Sequence, residues 1–192
     1  MSSARPIATT RSSAGMPTGR LAVWWVIASE IVIFGGILAS YIMHRLAHDA
    51  FAAQAAHTNT WIGAFNTFVL LTSSLSAVMA HRAADHGDAK GAANYLWLTV
   101  GGGATFLIVK AFEWTHEIRE GFTITSSTFW SFYYTAAGIH ASHVFAGMIL
   151  MSYIALDAAK NKELQRVEYV GLYWHFVDIV WIFLFPLLYI AK

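Results

Sequence analysis

Cysteine is absent from the 192-residue chain, which excludes disulfides, iron–sulfur clusters, Cys-ligated zinc and thiolate copper sites together. Any metal would have to sit on histidine and carboxylate. Charge is scarce as well: Asp, Glu, Lys and Arg make up 12% of the residues, about half the share usual in a soluble domain. The few charges nearly cancel, with 12 Lys and Arg against 11 Asp and Glu, and no block of one sign can follow a phosphate backbone. Nucleic acid is therefore not an expected partner. Only three prolines occur and the 14 glycines follow no repeat, so the chain is neither collagen-like nor a linker. Phosphate-binding loops, nucleophile elbows and zinc-protease signatures are missing too. No self-contained catalytic constellation remains.

What the chain has instead is apolar length, with hydrophobic residues at 57%. A bilayer core of about 30 Å is crossed by about 20 helical residues, and five apolar runs reach that length: Leu21 to Tyr41, Trp61 to Met79, Ala92 to Phe112, Phe129 to Leu156 and Tyr169 to Ile190. The expected class is an all-α integral membrane protein, with a tail over residues 1–20 and a five-helix domain over 21–192. Its helices are expected at about 21–45, 59–82, 92–119, 128–157 and 167–191. Pro186 near the end of the fifth run is tolerable if neighbouring helices satisfy the backbone groups it frees.

The basic residues give a direction. Arg5, Arg11, Arg20, Arg82, Lys90, Lys160, Lys162 and Arg166 fall on one side, against Arg45, Lys110, Arg119 and Lys192 on the other. The positive-inside rule then predicts a cytoplasmic N-terminus and an outside C-terminus. Residues 1–19 carry Arg and Ser without an acid, as transit peptides and signal starts do, but a plain cytoplasmic tail lying against a partner is the better expectation.

Ionisable groups at membrane depth are costly and are functional candidates by default. Glu30 lies near the midplane of the first run among apolar neighbours, where burial disfavours a charged carboxyl; it reads either as a neutral acid bonded to another helix or as a proton-responsive or lipid-contacting site. His140 and His143 in the fourth run, and His175 and Asp178 in the fifth, are each three apart and so share a helix face. They fit a polar network joining the last two spans, or a metal or haem site. The network is the expectation, with no metal. Lys110, Glu113, His116, Glu117 and Glu120 read as a solvated, self-paired helix end. Gly101 to Gly103 either permits close helix packing or marks a bend, and Asn66, Thr67, Thr72, Ser73, Ser74 and Ser76 form a polar packing face.

Several motifs are specific enough to suggest a family. Tyr173-Trp174-His175-Phe176-Val177-Asp178-Ile179-Val180-Trp181 closely resembles the last-helix signature of subunit III of haem–copper respiratory oxidases. Gly138-Ile139-His140-Ala141-Ser142-His143-Val144-Phe145-Ala146-Gly147, after the aromatic run Phe129 to Tyr134, is similar to the same family's Gly-x-His-x-x-His-Val-x-x-Gly motif. Ser29-Glu30 followed by Phe34, the Ser-rich Asn66 to Ala80, and Glu113-Trp114, with Trp where Tyr is usual, complete the family order. The chain resembles the five-span bacterial form and lacks the first two spans of the seven-span mitochondrial one.

The resemblance implies an accessory subunit without its own redox centre or cofactor, in a complex that reduces oxygen to water and pumps protons. Subunit I would be its direct partner, with subunit II, small subunits or a supercomplex beyond; haems and copper would lie in those partners. It further implies bound phospholipid in a V-shaped cleft between two bundles, spans one and two against three to five, within the bacterial inner membrane. Glu30 would face subunit I or its lipid, tuning the neighbour's proton uptake rather than passing pumped protons, as fits a family glutamate that reacts with a hydrophobic carbodiimide. Quinol oxidase and nitric oxide reductase accessories are the nearest alternatives. More remote are a stand-alone di-histidine haem protein using His140 or His143 with His175, and a proton-coupled transporter using Glu30 and Asp178.

Overall fold

A computed structural model of the chain describes residues 12–13, 16–47 and 50–191. Most of the expected tail over residues 1–20 lies outside the described residues. Its described part is a short antiparallel pairing of Ser12–Ser13 with Met16–Pro17. Six helices follow: α1 Thr18–Ala47, α2 Ala50–Ala55, α3 Thr60–Asp85, α4 Ala89–Arg119, α5 Thr128–Ala159 and α6 Arg166–Phe185, the last running into a π-helical turn, Pro186–Ile190. Five of them (α1, α3, α4, α5, and α6 with its turn) are long and apolar enough to cross a membrane.

Local chemistry sets where these helices begin. The Asn59 side chain accepts from the backbone N–H of Trp61 and Ile62 at 3.1 and 3.3 Å, the Asp88 carboxylate from Gly91 at 2.9 Å, and the Ser127 hydroxyl from Trp130 at 3.4 Å. Each satisfies N–H groups that the first helical turn leaves orphaned. Gly87 (φ 74°) and Gly121 (φ 93°) sit in the left-handed region just past α3 and α4, which a residue without Cβ adopts without steric penalty.

Helices α3 to α6 pack into one bundle. The buried stripe of α4, Ala92, Leu96, Thr99, Gly103 and Phe106, steps by four and three, the spacing of a helix seam. Against it α3 places small and hydroxyl-bearing residues: Ser76 shares a 2.7 Å hydrogen bond with Thr99, and Ser73 lies so near Gly102 that a Cβ there would come within 2.6 Å of the serine Cβ. The Gly101–Gly103 run thus permits close approach inside a continuous helix. Trp174 of α6 fills the centre, seated on Gly103 and Gly147, with its indole N–H donating to Ser73 Oγ at 3.0 Å. Two more polar contacts bind α6 to α3: Trp181 Nε1 donates to Thr67 Oγ1 at 3.0 Å, and Ser74 Oγ is 2.6 Å from His175 Nδ1.

This packing corrects the expected grouping of spans. The second span stands with the third to fifth, and α1 alone stands apart, leaning on α6 and α5. The hydroxyl face of α3 is the reason: its groups find hydrogen-bond partners on α4 and α6, which lipid cannot offer. By contrast α1 buries one line of residues, Ile27, Phe34 and Tyr41, each seven apart. An apolar groove of about 570 Å³ remains between α1 and α6, lined by Trp24, Ile27, Phe34, Phe176 and Phe183.

Pro186 has its neighbours. Behind it, the carbonyls of Leu187, Leu188 and Tyr189 accept from Tyr41 Oη (2.8 Å), Thr58 Oγ1 (3.3 Å) and Thr60 Oγ1 (3.0 Å). The Arg45 guanidinium donates to the Ala191 carbonyl. Side chains from α1, from Thr58 just before α3 and from Thr60 at its first position thus satisfy the backbone acceptors of the irregular turn, as an apolar setting requires.

Candidate functional site

At mid-depth, Glu30 of α1 turns toward α5, where its Oε2 lies 2.9 Å from His143 Nε2. Both side chains are mostly buried, at 15% and 20% exposure. His143 Nδ1 is 2.8 Å from the Ile139 carbonyl, and a carbonyl only accepts, so Nδ1 carries a hydrogen. A contact between Nε2 and a carboxyl oxygen is attractive only if one of them also holds a proton. Glu30 and His143 thus make a close polar contact between α1 and α5, a link that the spacing along α1 does not reveal.

The four polar groups expected to form one network do not. No hydrogen bond joins His140, His143, His175 and Asp178 to one another among the described residues. His143 reaches Glu30 on α1 and His175 reaches Ser74 on α3. His140 is wholly buried, stacked on Trp181 (centroids 5.1 Å apart) and edge-on to Phe106 (5.5 Å). Its ring nitrogens have no hydrogen-bond partner among the described residues, and the buried Asp178 carboxyl lies beside Ser74 of α3. The physical reason is helical phase. His140 and Asp178 lie on the buried stripes of their helices, whereas His143 and His175, three residues away from each in sequence, are rotated by about 60° to the flank. Among the described residues no group of three or more His, Asp or Glu is placed to hold a metal ion.

The helix-end cluster is also rearranged. Lys110, Glu113 and Glu117 continue the buried stripe of α4 past Phe106 and point into the bundle. His116 and Glu120, on the outer flank of the helix, pair with each other at 3.3 Å with largely exposed side chains. Inside, Lys110 Nζ donates to Glu113 Oε2 at 3.0 Å, to Tyr133 Oη at 3.1 Å and to Tyr189 Oη. Tyr133 Oη donates to Glu117 Oε1 at 3.1 Å and lies 3.0 Å from Tyr189 Oη. The rings of Trp114, Tyr133, Trp181 and Tyr189 surround the ammonium, with centroids 4.8 to 5.6 Å away, positions suited to cation–π attraction. Residue type and spacing along α4 predict a solvated end here and give Tyr133 and Tyr189 no role, whereas the structure closes both tyrosines on Lys110. The available signal was the four-and-three rhythm of α4, which runs unbroken from 92, 96, 99, 103 and 106 into 110, 113 and 117.

Comparison with known proteins bears on the whole of this architecture. A family model described as cytochrome c oxidase subunit III matches residues 8–192. The chain belongs to the cytochrome c oxidase subunit III family. It is 34% identical over 173 residues to a cytochrome c oxidase subunit 3 of Corynebacterium diphtheriae, covering 86% of this chain and 84% of that one. It is 33% identical over 175 residues to the Bacillus subtilis protein of the same name, covering 88% and 84%. A subunit 3 from Thermostichus vulcanus is 29% identical over 169 residues, covering 85% and 83%. Like the family, the chain is a multi-pass membrane protein, and subunit III members are components of an oxidase complex. Both motif regions quoted above for the family, in α5 and α6, fall inside the matched span.

Proposed function

We propose that the chain serves as the accessory subunit III of a haem–copper terminal oxidase of the cytochrome c type, itself without catalytic centre. The oxygen-reducing chemistry and the haem and copper would reside in neighbouring subunits. The observation that carries the reading is the family match along nearly the entire chain. The printed names of the relatives speak for a cytochrome c oxidase over a quinol oxidase or a nitric oxide reductase accessory.

In this role the subunit docks beside subunit I, with subunit II and smaller chains or a supercomplex further out, in a bacterial inner membrane. The excess of Lys and Arg at the end holding the α3–α4 and α5–α6 connections supports a cytoplasmic N-terminus and an outside C-terminus. The groove between α1 and α6 has the apolar lining and shape for a phospholipid acyl chain. Glu30 and His143 lie at the contact of α1 with α5, from where the pair tunes the field at the neighbouring subunit's proton-uptake region.

The test is affinity purification through this chain from its own membranes in mild detergent. The expected result is co-purification of a haem-bearing subunit and a dinuclear-copper subunit, with oxygen uptake driven by reduced cytochrome c. Isolation of the chain alone with haem bound to it, or oxygen uptake driven only by quinol, would overturn this reading.

A further inference from the structure

The Lys110 cluster plays no part in that reading, yet it is the most densely charged part of the interior. We propose that Lys110, Glu113, Glu117, Tyr133 and Tyr189 form a binding site for one exchangeable proton, carried on Glu117. The inference goes beyond the oxidase role and rests on this chain's own geometry.

The charge count comes first. Lys110 is 1% exposed, and Glu113 and Glu117 are each 4% exposed. The three acceptors around Nζ, an oxygen each from Glu113, Tyr133 and Tyr189, match the three N–H donors of an ammonium, and four aromatic faces add to its hold. Lys110 is therefore the cation and Glu113, its direct partner, the carboxylate. A second carboxylate would leave one enclosed negative charge with no cation to meet it, which a low-dielectric site disfavours strongly. One added proton makes the enclosure neutral.

The donor inventory then places that proton. Tyr133 supplies its hydrogen to Glu117 Oε1. Tyr134 has a single hydrogen, and the Phe122 carbonyl at 2.8 Å is the better acceptor than Glu117 Oε2 at 3.5 Å. With that hydrogen engaged, the Tyr134 oxygen turns a lone pair toward Oε2, and a protonated Oε2 has an acceptor to donate to. A second observation is Glu113 Oε1, buried without a hydrogen-bond partner of good geometry among the described residues, while the Tyr189 hydroxyl, the remaining donor, faces Glu113 and Tyr133 rather than Glu117.

The groups facing Glu117 are Lys110 and Glu113 on α4, Tyr133 and Tyr134 on α5, and Tyr189 on the π-helical turn, while His116 and Glu120 face outward. Half-buried Tyr134, near the end of α4, is the route to water. Uptake forms one O–H bond, takes the proton from hydronium and moves no electron.

Infrared difference spectra between acid and alkaline pH test this in the full chain, purified with whatever proteins accompany it. The expected signal is the C=O stretch of a protonated carboxyl that shifts down in D2O and is lost in Glu117→Gln and in Glu113→Gln alike, because either variant leaves a single carboxylate for Lys110. Tyr134→Phe, which removes the acceptor while keeping the ring, should shift the frequency without abolishing the signal. A spectrum with no such carboxyl, a signal that survives unchanged in either glutamine variant, or a frequency unmoved in Tyr134→Phe overturns the assignment. Should Glu117→Gln fail to accumulate, Tyr134→Phe decides: an unmoved frequency overturns the proposal. These readings do not depend on which subunits co-purify, so they fail or succeed separately from the oxidase test.

Discussion

Lys110 holds an ammonium where water is excluded, and its tolerance there rests on three oxygen acceptors and four aromatic rings. Removing one partner of such a buried pair leaves an uncompensated charge, typically at a cost of about 3–5 kcal/mol. Lys110→Met should destabilise the bundle by that order, read as the midpoint shift in a denaturant titration in detergent. Adding Glu113→Gln should recover more than half of the loss, because the stranded carboxylate is then removed as well. Independent costs that simply add would show that the two side chains do not act as a pair. The same scale shows why residue type and spacing along one helix left this pairing unread. Lys110, Glu113 and His116 look alike as an i, i+3 series, but each step of three lags a full turn by about 60°. Two of them enter the core and the third meets Glu120 outside. The 140/143 and 175/178 pairs divide in the same manner.

At the scale of the elements, the α3–α4 contact is built on small side chains. A methyl at Gly102 would sit 2.6 Å from Ser73 Cβ, whereas one at Gly101 would meet nothing within 4 Å. Gly102→Ala should therefore cost about 1–3 kcal/mol through overpacking. Gly101→Ala, one residue away, should be neutral or stabilise by about 0.5–1 kcal/mol through the lower entropy of the unfolded chain. Thermal unfolding of the two variants in the same detergent separates them, and equal effects would deny that α3 approaches α4 so closely. The glycine run itself is plain in the sequence. Which of its three members faces a neighbour depends on the phase of α4 against α3, which only the packed pair defines. Likewise Pro186 announces an irregular end to the last span, but its four side-chain partners come from α1 and from residues 58 and 60, more than 120 positions earlier.

For the whole molecule, the division lies between α1 and the bundle of α3 to α6. Polar ties span it along its length: Arg20 with Glu168 at one end, Glu30 with His143 at mid-depth, and Tyr41 and Arg45 with the Leu187 and Ala191 carbonyls at the other. Only a single line of α1 is fully buried, with Val23, Ile37 and Leu38 partly covered beside it, so these ties carry much of its position. Combining Arg20→Ala with Arg45→Ala should widen the distribution of distances between α1 and α6, while that between α3 and α4 stays narrow. Because the chain has no cysteine of its own, pairs of introduced cysteines carrying spin labels give these distances directly. An unchanged α1–α6 distribution would mean that the two arginine ties do not position the helix and that Glu30–His143, Tyr41–Leu187 and the apolar line suffice.

Composition and hydropathy were sufficient for the membrane class, the number of spans and the family motifs, because each depends on local residue type over about 20 positions. Tertiary structure alone decided which spans form the bundle, that Glu30 meets His143, and that a lysine and two glutamates expected in solvent close on themselves in the interior. Those outcomes depend on the rotation of each helix against its neighbours. In lipid the hydrophobic effect gives little preference between one apolar face and another, so rotation is set by where small residues permit close approach and where polar groups find partners, and both are properties of pairs of helices rather than of any one segment.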